Sequence, residues 1–236
     1  MHPLLLLAPL LLACNPDPGE VDQQVGYRLG SIENGASSGE RGTIKISEVL
    51  WAGSVGLDGT LDRDDIFIEL RNESARSVNL SNWILAQSGT IERSWRIPEG
   101  PRMVAVGEHV VIAKKSDGCF PSADYVIEDL ELPHGDPFYI TLQDADERLI
   151  ESAGNREMPP FAGGWDLVDA RSMERVQLMF GGRGTEPHTW HHYTDAEVDE
   201  PNNVRVAESC RAHTLASPGR PNSPDYSGAY STGSFE

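Results

Sequence analysis

The chain has 236 residues, 39% of them hydrophobic, which suits one β-sandwich with long loops or at most two small domains. Its 37 acidic and 19 basic residues give a formal net charge of −18, which repels phosphate backbones and argues against general nucleic-acid binding. The 23 glycines and 16 prolines favour many turns over long helices.

The first fourteen residues form an apolar leader, with seven leucines in the first twelve positions. The run is shorter than the roughly 20 apolar residues needed to cross a bilayer, and it has the size of a signal-peptide core. The tetrad from Leu11 to Cys14 resembles the lipobox of bacterial lipoproteins, which implies cleavage after residue 13 and acyl chains, such as palmitate, on Cys14. The positively charged start of such leaders is missing, because the residues before the leucines include no Lys or Arg, only His2. An ordinary cleavable secretory signal is the alternative.

The lipobox resemblance also implies a location in the bacterial cell envelope. In the proteobacterial pattern an Asp after the cysteine favours retention in the inner membrane, and here Asn15 follows Cys14. We therefore expect a lipid anchor in the outer membrane. Residues 14–42 are rich in Pro, Gly, Ser and acidic residues, which predicts a flexible tether about 30 Å long.

Cysteine usage agrees with an exported protein. If Cys14 carries lipid, Cys119 and Cys210 remain and can pair in an oxidising compartment. Such a bridge would close a loop of about 90 residues and would stabilise the fold by roughly 4–5 kcal/mol. Two free buried thiols are the alternative.

Alternating apolar residues from residue 43 onward predict an all-β domain. Ile44, Ile46 and Val49 indicate one buried face, with a bulge near Glu48. Residues 53–65 read as a loop. Further strands are expected at 66–71, 78–80, 83–85, 94–98, 109–113, 125–127, 138–142, 148–152 and, as the last clear one, 174–178. Short strands at this spacing, with turn signals between them, are typical of a β-sandwich.

The order of these elements resembles the lamin tail domain, an immunoglobulin-like β-sandwich family. The resemblance rests on Glu48-Val49, on DIFIELRN at residues 65–72, on VNLSNWIL at 78–85, on MERV at 173–176, on Trp190 and on SPGRPN at 217–222. It covers residues 43–222. It implies an immunoglobulin-like sandwich over 43–224 with long loops, followed by a mobile tail at 225–236.

Within that sandwich, Ile66, Ile68 and Leu70 are expected to face the core, and Glu69 to face away and bond a neighbouring strand or loop. Trp83 is expected to be a core aromatic whose indole N–H bonds the backbone. Binding is expected in the long loops at 53–64, 154–165 and 181–211.

Three histidines near the end of the chain are metal-ligand candidates. His188, His191 and His192 could hold zinc or copper together with Asp195 or Glu197. Their spacing matches no established zinc motif, and a polar loop around a packed Trp190 is the alternative.

An acidic loop is a candidate calcium site. It places four carboxylates within eight residues, at Asp58, Asp62, Asp64 and Asp65. The EF-hand order is absent and Arg63 interrupts the cluster, so an acidic turn before a strand is the alternative.

The sequence offers no convincing catalytic site and implies no cofactor. It contains no G-x-S-x-G element, and the Gly-rich pieces at 163–165 and 181–184 do not follow the strand-to-helix pattern of phosphate cradles. We expect a non-catalytic binding or structural module, held at a membrane by its lipid, with an envelope protein or glycan as partner. A metal-dependent envelope enzyme using residues 181–200 is the rival hypothesis.

Overall fold

The computed structural model describes residues 42–100, 102–176, 183–194 and 205–225. Cys14, most of the expected tether and residues 226–236 lie outside these ranges, so the expectations for them stay predictions. Nearly all the regular structure in the described ranges is β, and one short 3-10 helix spans Pro187–Thr189. No helix within these ranges is long and apolar enough to cross a membrane.

Seventeen strands are present in the described ranges. In chain order they are β1 (Ile44–Leu50), β2 (Ser54–Val55), β3 (Leu61–Asp62), β4 (Phe67–Asn72), β5 (Val78–Asn79), β6 (Ile84–Gly89), β7 (Arg93–Arg96), β8 (Met103–Val104), β9 (His109–Ala113), β10 (Tyr125–Val126), β11 (Phe138–Gln143), β12 (Leu149–Asn155), β13 (Gly164–Trp165), β14 (Ala170–Arg171), β15 (Met173–Arg175), β16 (Trp190–His192) and β17 (Thr214–Leu215).

Two sheets form the sandwich. The larger has the order β10-β9-β4-β1-β15-β16, and the smaller has the order β12-β11-β6-β7. A smaller third sheet, β13-β14-β17, and two short antiparallel pairs, β2-β3 and β5-β8, complete the set. Side chains from both main sheets share one hydrophobic core that includes Ile68, Leu85, Ile140 and Trp190. The predicted all-β, immunoglobulin-like sandwich is therefore confirmed.

The alternation read from the sequence holds in the central strands. Ile68 and Leu70 of β4, and Ile66 just before it, lie in the main core as predicted. The expected bulge in β1 is also present, because its register with β4 shifts between Ile46 and Glu48. The extra residue turns Glu48 away from the core while Val49 stays in it.

The opposite face of the six-stranded sheet is buried too. Phe67, Val111 and Phe120 belong to a second core that also contains residues of the 205–217 region. A disulfide between Cys119 and Cys210, 91 residues apart, lies in this core. A sheet covered on both faces explains why β9 reads as a continuous apolar run.

Two local expectations were wrong. The segment 53–65 is not a plain loop, because β2 and β3 pair within it. In addition, β16 and β17 follow β15, although no clear strand was expected after 174–178. Trp83 is fully buried as expected, but its indole N–H has no hydrogen-bond partner among the described residues.

Candidate ligand-binding cleft

A row of three buried glutamates crosses the outer face of the six-stranded sheet. Glu174 of β15 is paired with Glu48 of β1, and Glu48 is paired with Glu69 of β4. All three carboxyl groups are buried. We call these three residues the glutamate row; the sequence predicted only that Glu69 would face away from the main core.

The glutamate row binds the segment 217–223, which we call the closing segment. The backbone N–H of Ser217 donates to Glu48 (2.8 Å), that of Gly219 to Glu69 (2.5 Å) and that of Ser223 to Glu174 (3.0 Å). The motifs that carry the family resemblance therefore meet in one hydrogen-bonded layer. Glu69 bonds a neighbouring loop, as predicted.

Two histidines and Ser47 flank the row. His109 Nδ1 lies 2.7 Å from a Glu69 oxygen that also accepts the Ser47 hydroxyl proton at 2.6 Å. His191 of β16 is paired with Glu174, and its Nε2 lies 3.8 Å from a Glu174 oxygen. Every carboxyl of the row is therefore engaged by protein groups.

Burial raises the pKa of Glu48 well above its ordinary value, and the nearby carboxyls of Glu174 and Glu69 raise it further. Burial also raises the pKa of Glu174. The Ser217 hydroxyl contacts both Glu48 and Glu174, but it has one proton to donate. A proton on one of the two carboxyls satisfies both contacts. The row is thus a buried structural network tied to the closing segment.

The structure does not bring the three predicted histidine ligands together. His191 and His192 are neighbours in one strand, so their side chains point to opposite faces of the sheet. His188 lies in the 3-10 helix, with its Nε2 3.4 Å from Glu186. Asp195 and Glu197 lie outside the described ranges. Within those ranges no group of three His, Cys, Asp or Glu side chains could hold a metal ion.

The four aspartates of the predicted calcium loop bind other protein groups. Asp58 accepts from Thr60, while Asp62 lies 2.6 Å from the Lys115 ammonium. The contact with Lys114 lowers the pKa of Asp64. Asp65 is buried and accepts the Ser54 hydroxyl and the Cys119 N–H, both at 2.6 Å. Each of the four aspartates is therefore bonded to protein groups in the structure.

A cleft of about 440 Å³ opens beside the edge strand β16. Its lining residues are Trp51, Gly163, Gly164, Trp165, Asp166, Asp169, Arg171 and His192. Its volume lies in the range of small-ligand pockets, about 300–1,000 Å³. Aromatic walls with a few polar groups are also typical of such pockets.

The backbone around the cleft is fixed by glycines. Gly163 has φ +76°, and a Cβ there would lie 2.8 Å from the Met173 nitrogen, so only glycine fits. Gly164 has φ +128°, and a Cβ there would lie 3.5 Å from the Trp51 ring. Glycine at 164 thus keeps a side chain off the ring. The indole N–H of Trp51 donates to Ala162 at 2.8 Å, which holds the ring in place.

The polar groups of the cleft are also oriented. His192 Nδ1 accepts the Gly163 N–H at 3.0 Å, so in the neutral ring the proton resides on Nε2. Asp166 accepts the N–H groups of Asp169 and Val168, and these bonds lower its pKa. Asp169 Oδ1 lies 2.9 Å from His213 Nδ1, and Asp169 Oδ2 lies 3.8 Å from Arg171 Nη2.

Sequence reasoning found this cleft in part. Of the long loops in which it expected binding, 154–165 contributes Gly163, Gly164 and Trp165 to the lining, 181–211 contributes His192, and 53–64 contributes nothing. The Gly-Gly-Trp piece at 163–165 was read as part of a loop and not as a wall of a cleft. Trp51 directly follows a core strand, and nothing local shows that it meets a segment more than 110 residues away.

Comparison with known proteins identifies the family of the chain. The fold is an immunoglobulin-like sandwich, and the lamin tail domain model matches residues 37–156, slightly more than half of the chain. The chain belongs to the lamin tail domain family. Among solved structures it is similar to a DUF4876 family protein from Bacteroides thetaiotaomicron, with 11% identity, a TM-score of 0.40 and coverage of 72% of this chain and 75% of that one. No curated protein matches it.

Proposed function

We propose that this protein is a lipid-anchored envelope lipoprotein whose lamin tail domain acts as a non-catalytic binding module. The lamin tail family indicates a binding or structural module. The observation that carries the binding role is the tryptophan-lined cleft, a preformed concave surface on a rigid sandwich. The anchor rests on the leader and Cys14.

The buried ionisable groups support a non-catalytic role. The glutamate row lies beneath the closing segment and is bonded to its backbone N–H groups. A general acid or base must reach a substrate proton, directly or through one water. The exposed carboxylates Asp58 and Asp64 accept from neighbouring protein groups instead.

Metabolic labelling with a palmitate analogue tests the anchor. We expect label in the wild type and none in Cys14→Ser, because the acyl groups would be attached at residue 14. The matched control is Cys119→Ala/Cys210→Ala, which removes the other two cysteines and should keep the label. Equal labelling of wild type and Cys14→Ser would rule out the anchor.

Retention on isolated envelope material tests the binding role. The purified full chain should cosediment with cell-envelope fragments from which lipids have been extracted. Trp165→Ala should lose most of this retention because it removes one wall of the cleft. Retention that is unchanged in Trp165→Ala would exclude the cleft as the binding surface.

A further inference from the structure

The geometry points to an uncharged oligosaccharide as the ligand of the cleft between Trp51 and Trp165. This inference rests on the proposed binding function and specifies its ligand class. It is carried by the chemistry of the two walls, by the orientation of the polar groups between them and by the charge of the site.

The indole rings suit the faces of sugar rings. A pyranose presents C–H groups on its face and hydroxyls around its edge. The face of an indole carries negative quadrupole charge that attracts such C–H groups. A sugar ring that covers this face also removes apolar surface from water, which is favourable. The Trp51 ring is fixed by its bond to Ala162, so little conformational entropy is lost when a ligand covers it.

The polar groups match hydroxyls, which both donate and accept. His192 offers a donor at Nε2 in its neutral form, because Nδ1 already accepts from Gly163. Asp166 is exposed, and the backbone N–H groups that lower its pKa keep it an acceptor near neutral pH. A hydroxyl-rich ligand can satisfy both groups at once.

Charge argues against ionic ligands. The ionised Asp166 and a formal net charge of −18 disfavour an anionic glycan or phosphate. A cationic ligand is disfavoured as well, because the Arg171 guanidinium lines the cleft. Arg63, which lies over the Trp165 ring at 5.9 Å, is not one of the lining residues. An uncharged ligand avoids both conflicts.

An extended peptide is a poorer match. Peptides that join a sheet gain affinity from a row of main-chain hydrogen bonds along an exposed strand. The strands that contribute to the lining, β13, β14 and β16, have two, two and three residues. Each offers too short a row for strand addition.

Calorimetric titration tests the inference. The purified full chain, held in a detergent without a sugar headgroup, is titrated with cellohexaose, maltohexaose, mannohexaose and fully N-acetylated chitohexaose. We expect saturable binding of at least one of them. Trp165→Ala and His192→Ala should each weaken that binding about tenfold or more, the loss typical of a contact at the centre of an interface.

Two matched controls separate a local loss of contact from a general loss of structure. Tyr139→Ala removes an aromatic ring that also lies under an arginine, Arg156 at 5.3 Å, but belongs to the other sheet. His188→Ala removes a half-exposed histidine outside the cleft lining. Both should bind within about twofold of wild type. Thermal unfolding of every variant shows whether it is folded.

Three results would overturn the inference. They are the absence of heat with all four sugars at millimolar concentration, binding that neither cleft substitution weakens, and stronger binding of an oligolysine peptide or of polygalacturonate than of any uncharged sugar. If the sugars fail while Trp165→Ala still abolishes retention on envelope material, the ligand class is wrong and the proposed binding function stands.

Discussion

Glu48 occupies a position where a carboxylate is costly, and the neighbouring residues compensate for it. It is fully buried, with Glu69 and Glu174 on either side. Removing one partner from a buried polar network leaves the other unsatisfied, which costs about 1–3 kcal/mol. The backbone N–H groups of the closing segment replace the hydrogen-bond donors that water supplies to these carboxyls in the unfolded chain. These bonds explain why the glutamates tolerate burial.

The raised pKa of Glu48 predicts an unusual dependence of stability on pH. In the folded state the carboxyl holds its proton above its ordinary pKa of 4.5, whereas the unfolded chain releases it there. The folded state therefore binds more protons, and its stability falls as pH rises from about 4.5 through the raised pKa. We expect the Tm of Glu48→Gln to rise relative to wild type as the pH increases from 5 to 8.

Glu157→Gln is the control for this experiment, because residue 157 is exposed and outside the row. Its Tm should follow the wild type at every pH. The other groups facing Glu48 across the row, which are Glu69, Glu174, His109 and His191, remain in both variants. A Tm difference between Glu48→Gln and wild type that does not change with pH would contradict the prediction.

At the scale of elements, the closing segment joins strands that are distant in sequence. Asn222 Nδ2 donates to the carbonyls of Ser47 and Arg175, both at 2.8 Å, and so connects β1 to β15. Ser223 adds bonds to Glu174 and to Thr194. A segment without regular structure therefore covers the centre of the sheet, where it takes the place of a further sheet.

Asn222→Ala should destabilise the domain by about 1–3 kcal/mol, because two carbonyl groups lose a shared donor. Chemical denaturation at constant m-value measures the change. Asn155→Ala is the matched control, since that side chain accepts a single exposed N–H from Glu157. It should change stability by less than about 0.5 kcal/mol. Equal effects of the two substitutions would show that the closing segment adds little.

At the scale of the whole molecule, the second core depends on the 205–217 region, and the disulfide joins that region to the sheet. The Cys119–Cys210 bond joins two residues that are 91 positions apart in the sequence. Next to it, the Cys119 N–H donates to the buried Asp65 and the Ala207 N–H donates to the Cys119 carbonyl. The cross-link and these bonds hold the late part of the chain against β4 and β9.

Loss of the disulfide should lower the free energy of unfolding by about 4–5 kcal/mol in the chain-entropy model. Cys119→Ala/Cys210→Ala measures this without leaving buried hydroxyl groups, and wild type in reducing buffer should show a similar loss. Trp165 lines the cleft and packs against the second core, whereas the other lining residues lie outside that core. A change below about 1 kcal/mol would show that the second core holds without the bond.

The sequence by itself determined the class of fold and its central strands. Alternation is a local property, since successive side chains of a strand point to opposite faces, so Ile66, Ile68 and Leu70 reveal their common face directly. The order of the family motifs likewise predicted the lamin tail domain, and the odd cysteine count favoured the Cys119–Cys210 pair.

Only the tertiary structure decided what the polar and aromatic residues do. Register across β15, β1 and β4 aligns three glutamates separated by more than 20 residues each, and the closing segment returns over them from the far end of the chain. Trp51 and Trp165 form one cleft for the same reason. Such contacts depend on how distant segments pack, and no local pattern of residues records that packing.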